Sequence, residues 1–376
     1  MPAIPLSAPD IDAADHAEVD AVLRSGMLSL GPKLSEFEEA FAAYIGVKHA
    51  VAVSSGTAAL HLCVRALGIH EGDEVITTPF SFIASSNCIL FEHAKPVFVD
   101  IDPVTLCIDP GRIEQAITKR TKAIIAVDVF GALADWHALR KIASKHNLAL
   151  IEDSCESLGS KKGKQMAGAF ADCATFAFYP NKQMTTGEGG MLVTNRKDIA
   201  DLAKAMRNQG RNVQGGWLAH EHLGYNYRLS DLQCALGLSQ LRRLPTFIEK
   251  RASVAQMYAE ALEPLGGYLD IPVTQQGVDI SWFVYVVRLK ETFSQEKRDA
   301  ILAHLRLKGV GCQNYFPPIH LQPYYRKTFG YKPGDFPITE SIANRTIALP
   351  FHNNLSKSQV SQVCSTLKEG ILAQIS

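Results

Sequence analysis

Between residues 49 and 200, short apolar runs rich in β-forming residues alternate with helical patterns, which restricts this part of the chain to a mostly parallel sheet flanked by helices. The runs are 49–54 (HAVAVS), 74–78 (EVITT), 96–100 (PVFVD), 123–129 (AIIAVDV), 148–152 (LALIE), 173–179 (CATFAFY) and 190–194 (GMLVT). Their centres are continuously apolar, as strands buried on both faces are. Helices fall between them: 57–67 closes at Gly68, and 135–146 opens on Asp135 as N-cap. A helical stretch from about 229 to 262 contains Pro245, which is expected to kink or break it. The pattern changes at Pro264-Leu265-Gly266-Gly267 and continues with a strand at 283–289, a helix at 294–308, a loop rich in Pro and aromatics at 314–337 and a closing helix at about 356–373. The expected architecture is α/β. Residues 1–245 form a large unit with a mostly parallel central sheet, and residues 246–376 form a smaller α+β unit, on which the N-terminal segment can pack.

Charge narrows the choice of partner. Lys plus Arg and Asp plus Glu both number 38, and no basic stretch offers a footprint for nucleic acid. The first twenty residues carry Asp10, Asp12, Asp15, Glu18 and Asp20 where a secretion signal has an apolar core. Apolar runs such as 123–127 are cut by charge well short of the roughly 20 residues of a membrane span. A soluble cytoplasmic protein acting on a small molecule is expected. The eight cysteines (63, 88, 107, 155, 173, 234, 312 and 364) form no C-x-x-C pair and no zinc-ligand spacing, so reduced thiols and no metal site are expected. Cys155 lies in a motif discussed below, but its neighbours supply no base, and it reads as an inert core thiol.

Ligands of open α/β sheets sit outside the carboxyl ends of the strands, so the residues following each run carry the functional information. Four such ends are chemically loaded: Ser54-Ser55-Gly56-Thr57-Ala58, Phe80-Ser81-Phe82, Glu152-Asp153-Ser154-Cys155-Glu156 and Pro180-Asn181-Lys182. The Ser-Gly-Thr turn offers free N–H groups at the positive end of a helix, which suits a phosphate monoester, although an ordinary helix cap has the same sequence. Asp153 and Lys182 by themselves read as a buried ion pair, yet desolvating two ions costs about what their attraction returns. One cofactor accounts for all four ends. Pyridoxal 5'-phosphate (PLP) needs a helix N-terminus for its phosphate, a lysine for its aldehyde, a carboxylate for its ring nitrogen and a flat cover for its ring. In that reading Asp153 keeps the ring nitrogen protonated, and Lys182 shuttles the proton between substrate and cofactor.

These motifs resemble the DegT/StrS-type sugar aminotransferases, fold-type I PLP enzymes of nucleotide-sugar and polysaccharide (including O-antigen) biosynthesis. The likeness runs from Ser29-Leu30-Gly31-Pro32 through Ser55 to Leu60, Glu152 to Glu156, Phe178 to Lys182, Gly187-Glu188-Gly189-Gly190 and Gly224 to Leu229, and on to Tyr315 to Pro323 and Ala348-Leu349-Pro350. It implies that Lys182 holds the cofactor as a Schiff base, Asp153 meets the ring nitrogen, Phe82 covers the ring, and Gly56, Thr57 and Ala58 hold the phosphate. It places Glu156 near the phenolic oxygen, where a donor is more convenient. Ala177 stands where many members have a phosphate-binding serine. Asn226 falls where the second subunit of a homodimer reaches across to the phosphate. Ser29, Arg228 and His320 are implied to face the sugar nucleotide, although His320 could simply pack among Pro317, Pro318 and Pro323. The Tyr227-Arg228 version accompanies members acting at C4 of nucleotide-linked hexoses or on cyclitol ketones, and of these a nucleotide-linked 4-keto-6-deoxyhexose is expected as acceptor, with L-glutamate as donor. The alternatives are a sugar dehydratase, whose relatives replace the lysine with histidine, and a non-catalytic regulatory homologue.

Overall fold

The computed structural model describes residues 3–211 and 219–375. Seven strands, β1 (His49–Val53), β2 (Glu74–Thr77), β3 (Lys95–Phe98), β4 (Thr121–Val127), β5 (Ala149–Asp153), β6 (Cys173–Ala177) and β7 (Gly190–Thr194), form one sheet in the order β1-β7-β6-β5-β4-β2-β3. The pairs β2–β3, β2–β4, β4–β5 and β5–β6 are parallel. Only β7 runs against its neighbours β6 and β1, so the ends of β1, β2, β4, β5 and β6 emerge on one edge.

The helices are α1 (Ala13–Ser25), α2 (Pro32–Ile45), α3 (Gly56–Ala66), α4 (Ala84–Leu90), α5 (Trp136–His146), α6 (Lys197–Arg207), α7 (Asp231–Leu262), α8 (Gln295–Leu307), α9 (Pro323–Phe329), α10 (Pro337–Ala343) and α11 (Lys357–Leu372). Strand alternation divides the sheet between two cores. Val51 and Val53 pack with Leu60 and Val64 of α3 and Ala203 of α6. Ala50 and Ala52 pack on the other face with Phe37 and Phe41 of α2. Phe41 meets Phe176 of β6 edge-to-face at 5.2 Å, an arrangement worth about 0.5–1.5 kcal/mol beyond the area buried.

Local chemistry sets the helix ends. The Ser55 hydroxyl accepts the Ala58 N–H at 3.1 Å to open α3, and Gly68 follows its end at φ +73°. Asp135 caps α5 through the Ala138 N–H at 3.1 Å, as its position predicts. Pro245 does not break the helix: α7 runs through it for 32 residues. The proline removes one helical hydrogen bond, a cost of about 3 kcal/mol in an isolated helix. Against that cost, Leu238, Leu241, Leu244 and Phe247 are buried in the core of the large sheet, and Val254, Ala255, Tyr258 and Leu262 in a second core. The helix spans the two.

The second core is built on an antiparallel sheet of Leu269–Asp270, Tyr285–Leu289 and Thr346–Leu349, packed against α8 and α11. The loop expected at 314–337 contains α9 and a 3-10 turn at Ile319–Leu321. Ile4 joins this core, with its N–H donating to Gly309 and its carbonyl accepting from Gly311, both at 2.8 Å. A Cβ on Gly311 would lie 2.5 Å from the Leu6 nitrogen, so glycine permits the approach. Among the described residues no helix is long and apolar enough to cross a membrane.

Candidate active site

A cavity of about 660 Å³ opens at the strand edge, bordered by Ser55, Gly56, Thr57, Phe82, Asp153, Glu156, Ala177 and Lys182. Residues from Ser55 to Lys182 are gathered there because β1, β2, β5 and β6 all end on it.

The floor of the cavity is the first turn of α3. Gly56 and Thr57 carry N–H groups that have no acceptor within the helix. A Cβ on Gly56 would stand 2.8 Å from the Ala177 methyl and 3.0 Å from Cys155 Sγ, so glycine lets the turn sit against the ends of β5 and β6. Ala58 is different: it is buried behind the turn, and its N–H is spent on the Ser55 cap. Ala177 presents only a methyl. Nearby, the Asn181 side-chain oxygen is buried without a partner and its residue borders the cavity, which leaves a polar group for a ligand to satisfy.

Asp153 is buried at the tip of β5. Its Oδ2 accepts from Ser85 Oγ at 2.7 Å and its Oδ1 from the Cys155 N–H at 3.2 Å, so the carboxylate is held in one orientation. Ser85, on α4, is absent from the sequence reading. Its spacing of four from Ser81, with the two hydroxyls 2.8 Å apart, is the signal available for it. Lys182 Nζ lies 3.9 Å from the centroid of the Phe283 ring, a contact also absent from that reading, and 3.8 Å from Glu156 Oε1. The other Glu156 oxygen accepts the Phe130 N–H at 3.0 Å. Burial pushes the Glu156 carboxyl above the usual range, with the neighbouring ammonium opposing. Cys155 is no nucleophile, because burial and the Asp153 charge push its thiol well up. Phe82 remains 62% exposed on the rim.

Besides Ala58, four expected residues do not border this cavity. His320 is fully buried. Its Nε2 lies 3.0 Å from Glu340 Oε1 and its ring packs on Phe336 at 4.7 Å, so carboxylate and aromatic ring draw it inward. Arg228 donates to Asn208 Oδ1 at 3.0 Å. Asn226 and Ser29 are exposed, and the turn carrying Ser29 is pinned where Gly31 and Lys33 N–H groups donate to Asp231 at 2.9 and 3.0 Å. Tyr227 packs against Tyr225 and contacts His61 Nδ1 at 3.1 Å.

Behind Asp153, Asp128 and Glu152 are both fully buried. Ser154 Oγ lies 3.0 Å from Asp128 Oδ2 and 2.8 Å from Glu152 Oε1. A hydroxyl has one proton, so satisfying both contacts requires a proton on one carboxylate. Both Glu152 oxygens accept backbone N–H groups, from Gly168 and Phe170, whereas Asp128 Oδ2 faces only the Ser154 and Ser157 hydroxyls. Burial raises both carboxyls, Glu152 well above its ordinary range and Asp128 from 3.8 to about 6, so the pair keeps a shared proton. The stability tied to Asp128 is complete below about pH 4 and lost as pH rises through about 6. Asp128→Asn keeps the donor at every pH. From pH 5 to 8 the stability of the variant should rise relative to the parent by about 1–3 kcal/mol, as read by thermal melts; a difference independent of pH contradicts the assignment.

Comparison with known proteins finds relatives along the whole chain. The chain is 37% identical to GDP-perosamine synthase of Caulobacter vibrioides over 371 residues, covering 98% of each chain. The solved structure of Helicobacter pylori PseC, an aminotransferase involved in the biosynthesis of pseudoaminic acid, superposes with a TM-score of 0.93 at 31% identity, over 99% of this chain and 100% of that one. The PLP-form of the putative sugar aminotransferase Spr1654 from Streptococcus pneumoniae gives a TM-score of 0.94 at 29% identity over 100% of both chains. The family model of the DegT/DnrJ/EryC1/StrS aminotransferases matches residues 9–368, and the chain belongs to that family.

Proposed function

We propose that this chain is a PLP-dependent aminotransferase that moves an amino group from L-glutamate onto a nucleotide-linked 4-keto-6-deoxyhexose in the cytoplasm. The observation that carries the reading is the meeting of Lys182, Asp153 and the α3 N-terminus on one cavity. The donor set fits the cofactor. The N–H groups of Gly56 and Thr57 suit a phosphate, Asp153 suits a protonated ring nitrogen, Lys182 suits an aldehyde, and the exposed Phe82 suits a ring face. Asn181, through its side-chain NH₂, or a water is our candidate for the phosphate contact that Ala177 lacks.

When bound, PLP supplies an electron sink and a carrier for the amino group. The protein holds protons in place around it. Asp153, oriented by Ser85, keeps the ring nitrogen protonated. Lys182 takes the proton from the substrate carbon and returns it, a role general bases fill with roughly 10²–10⁴-fold effect. Glu156 stands beside the Lys182 amine, with its other oxygen held by the Phe130 N–H. Phe283, Tyr315 and Phe316 wall the cavity with apolar surface that excludes water.

We further propose a homodimer in which Asn226, Ser29 and Arg228 serve the second subunit's cavity. The exposed Met27, Leu28, Leu30, Tyr179 and Leu223 support such an interface. The choice of C4 rests on the Tyr227-Arg228 pattern. The matched 3-keto and 4-keto isomers of one nucleotide sugar, offered with glutamate and followed by NMR of the product, test it: amination at C4 is expected, and amination confined to C3 overturns the substrate while leaving the PLP chemistry standing.

A further inference from the structure

Arg251 lies on α7 where that helix enters the second core, and it is 2% exposed. Among the described residues no carboxylate lies within ion-pair distance of its guanidinium, and its Nε has no partner. A buried cation left without a counter-ion is costly, and desolvation pushes this one down to about 10. An apolar side chain would serve a purely structural helix position better.

The guanidinium holds main chain instead. Nη1 donates to the carbonyls of Trp282 at 3.0 Å and Phe283 at 3.1 Å, and Nη2 donates to the carbonyl of Lys182 at 3.0 Å. The side chains of two of those same residues meet above it, with the Lys182 ammonium 3.9 Å from the centroid of the Phe283 ring. One planar fork thus ties the loop after β6 to the segment entering the strand Tyr285–Leu289. Lysine cannot reproduce this, because a single ammonium is a point donor on a flexible stem, whereas the guanidinium presents donors at fixed angles.

We propose that Arg251 is a positioning residue that sets the place of the Lys182 amine in the cavity by clamping the Lys182 and Phe283 backbones together. The proposal rests on the PLP reading. Its test separates binding from positioning in the apo-protein. Pyridoxamine phosphate has no aldehyde and binds without a covalent link, so its affinity reports the cradle alone; the rate of covalent capture of PLP reports where the lysine stands.

In Arg251→Gln and Arg251→Lys, pyridoxamine-phosphate affinity should stay near the parent value while capture slows about tenfold or more, since a displacement of order 1 Å costs up to about a hundredfold. Val254→Ala, in the same buried turn of the helix, should leave both unchanged and controls for loss of stability. Arg251→Lys retains charge and length should the glutamine variant fail to fold. Capture at the parent rate in either variant overturns the proposal. So does a parallel fall of affinity and capture, which marks a collapsed cavity. Failure of the parent protein to capture PLP at all overturns the cofactor reading, and this proposal with it.

Discussion

Lys182→Ala is expected to abolish amino transfer, lowering turnover by about 10⁴-fold or more, while the melting temperature stays close to that of the parent. The side chain supplies both the covalent link and the proton shuttle, and proton transfer alone accounts for roughly 10²–10⁴. Its structural contacts are slight by comparison: the ammonium stands 3.8 Å from Glu156, beyond hydrogen-bonding distance, and otherwise rests over the Phe283 ring. The cradle on α3 and the Asp153 carboxylate remain, so the variant should still bind pyridoxamine phosphate. Steady-state assay with circular dichroism checks both halves, and transamination at the parent rate removes Lys182 from the chemistry.

Asp153→Asn should slow each half-reaction by about a hundredfold or more, as followed by stopped-flow absorbance. An amide cannot hold the ring nitrogen protonated. Its anchoring can survive the change: the asparagine oxygen accepts the Cys155 N–H, and its NH₂ donates to Ser85 Oγ, whose hydroxyl can turn to the Phe82 carbonyl 3.2 Å away. Stability should therefore change by no more than about 1 kcal/mol. Half-reactions at the parent rate contradict the role given to this carboxylate.

How much of this was legible in the sequence follows from the range of the interactions. The seven strands of the large sheet lie close to the runs read from residue pattern, because burial on both faces marks each strand locally. Residues gathered by strand ends were legible for the same reason: Gly56, Asp153 and Lys182 each follow a recognisable run and reach one cavity through the sheet topology. What supports them was not. Ser85 reaches Asp153 across 68 positions, and Arg251 reaches Lys182 across 69, contacts no local pattern encodes. The place of His320 came from the resemblance alone, because the Glu340 and Phe336 contacts that hold it inside are tertiary. That Pro245 does not break α7 was hidden for the same reason: its local penalty is visible in the sequence, whereas the two cores that outweigh it are tertiary.

The central claim, that Lys182 is the residue carrying the cofactor, is tested most directly by reducing the PLP-loaded protein with borohydride and mapping its peptides by mass. The account predicts a phosphopyridoxyl group on the peptide that contains Lys182, and none in Lys182→Ala. Labelling of a different lysine, or protein that takes up no PLP, would contradict it.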